Sequence, residues 1–520
     1  MSNRRDQRLK VVSLVILITL LSKVLGLGRD MLLGQTFGTG LEADALAAAI
    51  LLPRFFFDAV FASAVSASFI PVFSEVMERE GKEEAYRLAG SFLTLVGLAS
   101  LSLTVLGMVF APSLVGLIAN FDPETAALAA ELLRIIFPSL FFTGLAFSMV
   151  GILNSLGEFN VPAAMSLVSN GIMIVYFLFF AGRFGVSGAA AALLMGWAAQ
   201  ALMQVPSLFK KGYRYRPRLW HPGLSQIFRL MPPVMVSTWI WPINMWIITF
   251  WFASRITGGA ASLNLASGLF LMIAGIFVLS VTNVIFPEMS RLSVAGEREA
   301  LCEIVRETMR TLLFLLIPMT VGLMLLSTPL VRLLYEYGEF TARSTEFTAS
   351  ALFFLAIGMV GYGIQTVLFR AFYAEKRGKI LVLSGILSVL TTFTLSQFLV
   401  DRMGVAGLGL ASAASLLVTG PLLVPAAHRM LGGGLVTRGL LVALCKMVLA
   451  ALCMGAVVFF ARELLSEGVF SGDSVLVRLL LVGIPTLLGV AAYLSLARVL
   501  RLREVKILLG FLRNPRKGDA

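Results

Sequence analysis

The chain has little charge, few cysteines and almost no histidine. Of its 520 residues, 14% are charged, three are cysteines and two are histidines. Soluble domains carry about 25% charged residues, so the composition excludes an ordinary soluble globular protein. Cys302, Cys445 and Cys453 form no Cys-x-x-Cys pair and have no histidine at metal-ligand spacing. This excludes a disulfide-rich scaffold and predicts plain apolar packing for all three.

Motifs for catalysis are also missing. The sequence contains no Walker motif, no His-Glu-x-x-His motif and no pair of carboxylates arranged for acid–base chemistry. His221 and His428 lie at the edges of predicted loops and are interpreted as interfacial residues. We therefore expect a protein that is not an enzyme and needs no cofactor. An ATP-driven pump built on this chain would need a separate ATPase subunit.

Apolar residues make up most of the chain. They account for 58% of the 520 residues, which is enough for roughly fourteen membrane-spanning helices of ~20 residues. The apolar runs do not alternate with polar residues as the strands of a membrane β-barrel do, so they predict an all-α polytopic membrane protein. We expect about 14 transmembrane helices, at residues 10–36, 42–76, 87–118, 124–154, 161–182, 186–209, 229–255, 261–289, 303–328, 345–372, 379–400, 405–429, 437–461 and 475–499.

The basic residues indicate how the chain crosses the membrane. The net charge is +13. The cations cluster in alternate short connections between apolar runs, as topology determinants do, so no nucleic-acid partner is expected. The positive-inside rule places both termini in the cytoplasm, which requires an even number of spans. The apolar run that begins at Val11 has no cleavage site after it and predicts a retained first helix.

Two segments are predicted to lie at the membrane surface. The stretch 210–221 is basic and contains Tyr213, Tyr215 and Trp220, a combination that favours contact with anionic membrane lipid over nucleic acid. Residues 335–341 lie between two arginines and are interpreted as a short turn anchored at the opposite interface.

An internal repeat predicts the domain organisation. Phe69-Ile70-Pro71 recurs as Ile285-Phe286-Pro287, and Ala111-Pro112 recurs as Thr328-Pro329, at offsets of 216 (287 − 71) and 217 (329 − 112) residues. Six predicted spans separate the copies, so the repeats run parallel and imply two six-helix lobes that handle substrate between them. The predicted parts are a first lobe at 1–212, a second lobe at 213–432, two additional helices at 433–500 and a basic cytoplasmic tail at 501–520.

Ionisable side chains inside apolar runs are costly in lipid and normally face water or a partner. The first two predicted spans hold most of them, namely Lys23, Arg29, Asp30, Asp44, Arg54 and Asp58. Together they predict a cationic, water-filled pocket in the first lobe that suits an anionic head group such as a phosphate.

Structural alternatives exist for some of these residues. Arg54 and Asp58 are four apart and would meet on one helix face as an intrahelical ion pair. Arg29 and Asp30 would also suit an anchor at the end of the first helix. Lys23 has no carboxylate within one turn, so its presence is the hardest to explain without a ligand.

Several short motifs are spread along the chain. They are Ser22-Lys23-Val24-Leu25-Gly26-Leu27-Gly28-Arg29-Asp30, Phe37-Gly38, Ala43-Asp44-Ala45, Leu52-Pro53, Ser68-Phe69-Ile70-Pro71, Ile152-Leu153-Asn154 with Pro162, and Tyr337-Gly338-Glu339-Phe340-Thr341. Together they resemble the motifs of the MurJ/MviN family. The resemblance implies a member of the multidrug/oligosaccharidyl-lipid/polysaccharide exporter superfamily in the bacterial cytoplasmic membrane. Such a protein flips lipid II, the undecaprenyl-pyrophosphate-linked peptidoglycan precursor, to the outer leaflet by alternating access.

The resemblance also implies roles for particular residues. Lys23, Arg29 and Arg54 would bind the pyrophosphate, and Asp44 would pair with one of these cations or orient it. The last two helices would hold the lipid tail, and peptidoglycan synthases would be partners. The substrate-binding set predicted for this chain is therefore Lys23, Arg29, Asp44 and Arg54.

The chain also departs from the family pattern. Lys23 stands where the family usually has arginine, and Phe57-Asp58 followed by Ala62-Ser63-Ala64 replace two arginines and Glu-Gly-Ala. The family's arginine in the eighth span falls near Gly268. These departures keep open a flippase for another polyprenyl-linked saccharide or a cation-coupled exporter. Alternatives from other classes are a membrane glycosyltransferase, ligase or polymerase acting on the same lipid, and a non-transporting scaffold.

Overall fold

The computed structural model of the chain describes residues 2–56, 68–238, 240–468 and 474–505. Regular structure within these ranges is helical throughout, with short 3-10 and π-helical segments and no strand. Apart from its ends, a helix satisfies its backbone hydrogen bonds within one segment, which hydrocarbon requires because it offers no water. The prediction of an all-α fold is therefore confirmed.

Most of the predicted spans coincide with long apolar helices. The described residues contain nine helices long and apolar enough to cross a membrane, and two further helix pairs that bend by 42° and 49° bring the number to eleven. The other predicted spans are 10–36, which lies inside a helix at Ser2–Phe37, and 42–76 and 229–255, which include residues outside the described ranges. The full count of fourteen stays a prediction.

The first compact unit contains residues 1–261 together with the short segment 337–341. A buried apolar core from these helices holds it together, with Phe69, Phe73 and Phe137 among its largest members. Its helices are α1 (Ser2–Phe37), α2 (Leu41–Phe56), α3 (Ile70–Arg79), α4 (Lys82–Val109), α5 (Ala111–Ile118), α6 (Pro123–Ile136), α7 (Ser139–Ser155), α8 (Asn160–Phe179), α9 (Ala181–Leu202), α10 (Val205–Lys210), α11 (Pro222–Thr238) and α12 (Ile240–Trp246), followed by a π-helical segment (Ile247–Phe252).

The second compact unit contains residues 262–336 and 342–520. Its helices are α13 (Gly259–Phe270, which begins in the first unit), α14 (Ile276–Ala295), α15 (Arg298–Tyr335), α16 (Ala342–Ile357), α17 (Met359–Ala374), α18 (Gly378–Met403), α19 (Val405–Met430), α20 (Arg438–Gly468) and α21 (Val475–Val499), with a π-helical segment (Leu271–Gly275) between α13 and α14. These units are defined by spatial proximity and the predicted lobes by sequence repetition, so the division at 212/213 stays a prediction.

Polar contacts join the last two helices to each other and to α15. Arg478, at the start of α21, donates to the carbonyls of Arg332 and Glu336 at the end of α15. Lys446 of α20 donates to the carbonyl of Leu500, just after α21, at 3.0 Å. Cations near a helix C-terminus satisfy carbonyls that have no partner within the helix. The side chain of Lys446 is therefore engaged inside the fold.

Close backbone approach between α17 and α19 depends on glycine. A Cβ on Gly361 would lie 2.4 Å from the carbonyl oxygen of Leu416, and one on Gly420 of α19 would lie 2.7 Å from the carbonyl oxygen of Gly361. Gly409 of α19 allows a similar approach to α16, where the carbonyl oxygen of Ala351 is at 2.6 Å. Small residues at such crossings let membrane helices approach closely and gain van der Waals contact. These glycines are consequently part of the packing of the second unit.

Replacing Gly361 by alanine tests this packing. We expect Gly361→Ala to destabilise the protein by about 1–3 kcal/mol, because the added methyl group meets backbone that has to shift. Gly483→Ala is the matched control in α21, since a Cβ there meets no atom within 4 Å. Thermal unfolding in detergent measures both variants. Equal unfolding temperatures for the two would contradict this account of the α17–α19 contact.

Candidate functional site

Arg29 and Asp30 lie well inside the first helix. Helix α1 continues for eight residues beyond Arg29 before it ends at Phe37, a distance of about 12 Å at 1.5 Å per residue. Both side chains are about one-third exposed. The pair is therefore within the body of the helix, and the alternative of an anchor at the helix end is wrong.

The Arg29 guanidinium is held on two sides. Its Nη2 and Nε donate to Oδ1 of Asp30 at 2.7 and 3.0 Å, and its Nη1 donates to Oδ1 of Asn170 at 3.2 Å. A guanidinium carries five N–H donors in a rigid plane. Residues in the described ranges occupy three of these donors and leave two for a ligand that reaches this partly exposed group.

Asn170 is a functional candidate that the sequence reasoning missed. It lies on α8, is 6% exposed, and donates from Nδ2 to the carbonyl of Ser22 at 3.1 Å while its Oδ1 accepts from Arg29. Its amide thus links two points of α1 that are two turns apart. The available signal was a lone carboxamide within the predicted span 161–182, where polar side chains normally have a partner.

Lys23 lies on a different side of α1 from Arg29. Six residues rotate a helix by about 600°, so the two side chains point about 120° apart and are separated by about 9 Å along the axis. Lys23 is exposed and makes no hydrogen bond or ion pair with the part of the chain that the structure describes. It is available to an anion, but it does not share a contact with Arg29.

Asp44 does not pair with a cation in the described residues. It lies in the first turn of α2, is 2% exposed, and accepts backbone N–H groups of Gly258 at 2.6 Å and Ala261 at 2.8 Å. The carboxylate thereby caps the start of α13, where unpaired N–H groups and the helix dipole favour an anion. The expectation that Asp44 pairs with or orients a substrate-binding cation stays a prediction; the hydrogen bonds of its carboxylate in the described residues lead to backbone N–H groups.

The end of α1 forms a tight junction with two loops. Glu339 N–H donates to the carbonyl of Gln35 at 2.9 Å. Gly338 and Gly258 both have positive φ. A Cβ on Gly338 would lie 2.4 Å from the carbonyl oxygen of Gln35, and a Cβ on Gly258 would lie 2.3 Å from that of Thr39. We call this junction the clasp. It consists of the hydrogen bond between Gln35 and Glu339, the close packing of Gly338 against Gln35 and of Gly258 against Thr39, and the hydrogen bonds of Asp44 with Gly258 and Ala261. Gly338 and Glu339 of the predicted surface turn are thus packed on α1.

Arg54 and its neighbours are only partly described. Arg54 is exposed near the end of α2. Its predicted partner Asp58, and Phe57 and Ala62–Ala64 with it, lie outside the described residues. At Gly268, on α13, where the resemblance puts an arginine, an added Cβ would meet no atom of the described residues within 4 Å.

The described side chains favour anion binding over catalysis or metal binding. No group of three histidine, cysteine, aspartate or glutamate residues in the described ranges could hold a metal ion. Arg29 and Lys23 offer a partly buried guanidinium and an exposed ammonium, which are groups that bind phosphate. The predicted residues therefore separate into two accessible cations on α1, Lys23 and Arg29, and a buried carboxylate, Asp44, that accepts backbone N–H groups in the clasp.

Comparison with known proteins gives one consistent family. The family model described as "Lipid II flippase MurJ" matches residues 33–479. A probable lipid II flippase MurJ from Bdellovibrio bacteriovorus is 28% identical over 517 residues, which is 97% of each chain. The corresponding protein of Thermotoga maritima is 29% identical over 94% of this chain and 96% of its own length.

Solved structures give the same family. "Lipid II flippase MurJ, inward closed conformation" matches with a TM-score of 0.78 and 25% identity, covering 94% of this chain and 98% of that one. An inward-facing multidrug-resistance MATE transporter matches with a TM-score of 0.66 and 18% identity over 80% of this chain and 97% of that one. The second likeness shows a shared fold.

The role of Asp44 in the clasp is testable. We expect Asp44→Asn to lose one of the two backbone hydrogen bonds and to destabilise the clasp by about 1–3 kcal/mol, the cost of leaving a buried donor unpaired. Faster amide hydrogen exchange at residues 258–261 measures the effect. Glu42→Gln in the same first turn is the matched control, because Glu42 is exposed. Unchanged exchange in Asp44→Asn would contradict the capping role.

Proposed function

This chain belongs to the MurJ family of lipid II flippases, and on that premise we propose that it moves lipid II from the inner to the outer leaflet of the bacterial cytoplasmic membrane. Near-complete coverage by curated flippases of this name supports the proposal. The strongest structural support comes from Arg29. Its guanidinium is held by Asp30 and Asn170, and two of its N–H groups have no partner among the described residues and can bind a ligand. The protein is a transporter, and the work of this site is binding.

Arg29 is the proposed contact for the pyrophosphate of lipid II. Asp30 and Asn170 fix the plane of its guanidinium, so little side-chain entropy is lost when a phosphate oxygen accepts its remaining donors. Lys23 adds a second positive charge about 9 Å along the same helix, and Arg54 a third from α2. Asp30 offsets part of the charge of Arg29, which keeps the site from binding the anion too tightly to release it.

The clasp suggests which end of the protein is closed to substrate in this conformation. If both termini are cytoplasmic, as the positive-inside rule predicts, α1 runs outward and the clasp lies at the extracytoplasmic end. Its hydrogen bonds then close that end while Lys23 and Arg29 remain nearer the cytoplasm. Lipid II would enter from the inner leaflet, and opening of the clasp would release it outward.

The remaining predictions fit this scheme and stay part of the proposal. Two parallel six-helix lobes, 1–212 and 213–432, would move about the substrate. The two additional helices at 433–500 would hold the undecaprenyl tail, and peptidoglycan synthases would take the flipped precursor. A different polyprenyl-linked saccharide is a weaker alternative, because the relatives compared above carry the lipid II flippase name over almost their full length.

Rescue of a bacterium depleted of its own lipid II flippase tests the proposal. We expect the parent chain to restore growth, and Lys23→Ala and Arg29→Ala to reduce rescue strongly at equal membrane expression, because each removes a cation from the substrate path. Arg183→Ala is the control, since Arg183 is an exposed cation beside Phe184 on α9. Failure of a well-expressed parent in several hosts would contradict lipid II flipping. Rescue by every variant would contradict the site.

The contribution of Asn170 is predicted separately. We expect Asn170→Leu to weaken binding of purified protein to lipid II by about tenfold, because Arg29 loses a charge-assisted hydrogen bond of about 1.5 kcal/mol. Asn170→Gln keeps the carboxamide and should retain more of the affinity. Calorimetric titration with lipid II measures both, with Arg29→Ala for comparison. Additive losses in the double variant of Asn170→Leu and Arg29→Ala would contradict action of Asn170 through Arg29.

A further inference from the structure

The linker between α10 and α11 is fixed against the first turns of α4. Lys211 and Trp220 accept hydrogen bonds through their carbonyls from Tyr86 and Ser91, at 2.8 and 3.3 Å. His221 is 5% exposed, and its Nε2 lies 3.1 Å from Oε1 of Glu84. The linker is therefore an ordered part of the first unit.

Further contacts hold the middle of the linker. The Tyr213 side chain is 2% exposed and packs edge-on against Tyr86. The backbone at Arg216 lies so close to α4 that a Cβ on Gly90 would be 2.6 Å from its carbonyl oxygen. The side chains that point away from α4 are consequently presented in fixed positions.

The outward side of the linker combines unpaired cations with exposed apolar groups. Lys210, Arg214 and Arg218 are exposed and make no ion pair within the described ranges, whereas Lys211 and Arg216 lie within 4 Å of glutamates. Beside them are large apolar side chains that are half to two-thirds exposed: Phe209 at 61%, Tyr215 at 51%, Leu219 at 65% and Trp220 at 64%. We call these seven exposed residues the linker patch; Tyr215 also reaches α4, where its hydroxyl lies 2.9 Å from Oγ1 of Thr94.

We propose that the linker patch is a binding site for anionic phospholipid head groups, with Lys210, Arg214 and Arg218 contacting the phosphates and Leu219 and Trp220 inserted among the upper acyl carbons. The linker follows a membrane-spanning helix that ends at Lys210, so the patch lies at the depth where a bilayer changes from hydrocarbon to head groups. Tryptophan and tyrosine favour that depth, and each surface lysine or arginine adds about fivefold to the affinity for an anionic leaflet.

The same features disfavour a soluble partner. A protein or nucleic-acid partner would have to cover four large apolar side chains at a position where lipid already lies against the neighbouring helix. A bilayer can bind the cations and the apolar side chains of the patch together, because its phosphates pair with the cations and its acyl chains contact the apolar side chains. The linker joins the two sequence repeats, so anionic lipid would hold this connection at a fixed depth.

Quenching of Trp220 fluorescence by brominated lipid tests the site directly. The full-length protein is reconstituted in phosphatidylcholine bilayers with brominated phosphatidylglycerol or, at the same mole fraction, brominated phosphatidylcholine. The chain has six tryptophans, so the signal of Trp220 is taken as the parent minus Trp220→Phe. We expect phosphatidylglycerol to be enriched at least about fivefold beside Trp220, and added salt to lower this enrichment.

Two matched variants identify the charges responsible. The triple variant Lys210→Gln, Arg214→Gln and Arg218→Gln removes the unpaired cations of the patch and should bring the enrichment close to the random level. The control is Lys376→Gln, Arg377→Gln and Lys379→Gln, which removes three exposed cations at the start of α18 and should leave the enrichment unchanged. No enrichment in the parent, no loss in the first variant, or an equal loss in both variants would overturn the proposal. The salt titration on the parent tests it independently of either variant.

Discussion

The fold and the site both depend on the cost of leaving a polar group without a partner in hydrocarbon. A charged side chain at the centre of a bilayer costs at least about 2.5–3.5 kcal/mol, and an unpaired backbone group also costs several. Within the described residues, helices satisfy most of the backbone. Several charged side chains are paired as well: Arg29 with Asp30 of the same helix and Asn170 of α8, Asp44 with backbone N–H groups, and Arg478 with the carbonyls that end α15.

This constraint distinguishes two kinds of charged side chain: buried charges that bind backbone groups, and accessible cations that the proposal assigns to the substrate. Asp44 and Arg478 are buried, and their hydrogen bonds lead to backbone groups at helix ends, so they stabilise particular helix junctions. Arg29 differs because it is partly exposed and keeps donors unused, and Lys23 because it has no described partner. A transported anion can bind the accessible cations Arg29 and Lys23 without breaking the hydrogen bonds that Asp44 and Arg478 make at the helix junctions. The clasp and the cation site can therefore act as separate parts of one transport cycle.

Much of the fold could be predicted from the sequence, because long apolar runs permit few structures in a membrane. Eleven predicted spans coincide with apolar helices or bent helix pairs in the described residues, and a twelfth, 10–36, lies inside α1. The site was harder. In the sequence, Arg29 and Asp44 look alike, because both are charged residues in apolar runs. The fold shows that Arg29 contacts the carboxamide of Asn170 on α8. It also shows that Asp44 caps a helix that begins more than 200 residues later. Partners so far apart in sequence leave no local pattern.

The central claim is that this chain moves lipid II across a bilayer, and the most direct measurement uses purified protein. Proteoliposomes containing lipid II in both leaflets are treated from outside with an impermeant hydrolase that cleaves the peptide of lipid II. The account predicts that vesicles with the protein lose nearly all their lipid II, because inner-leaflet molecules are carried outward. Cleavage that stops at the outer-leaflet share, as in protein-free vesicles, would contradict it.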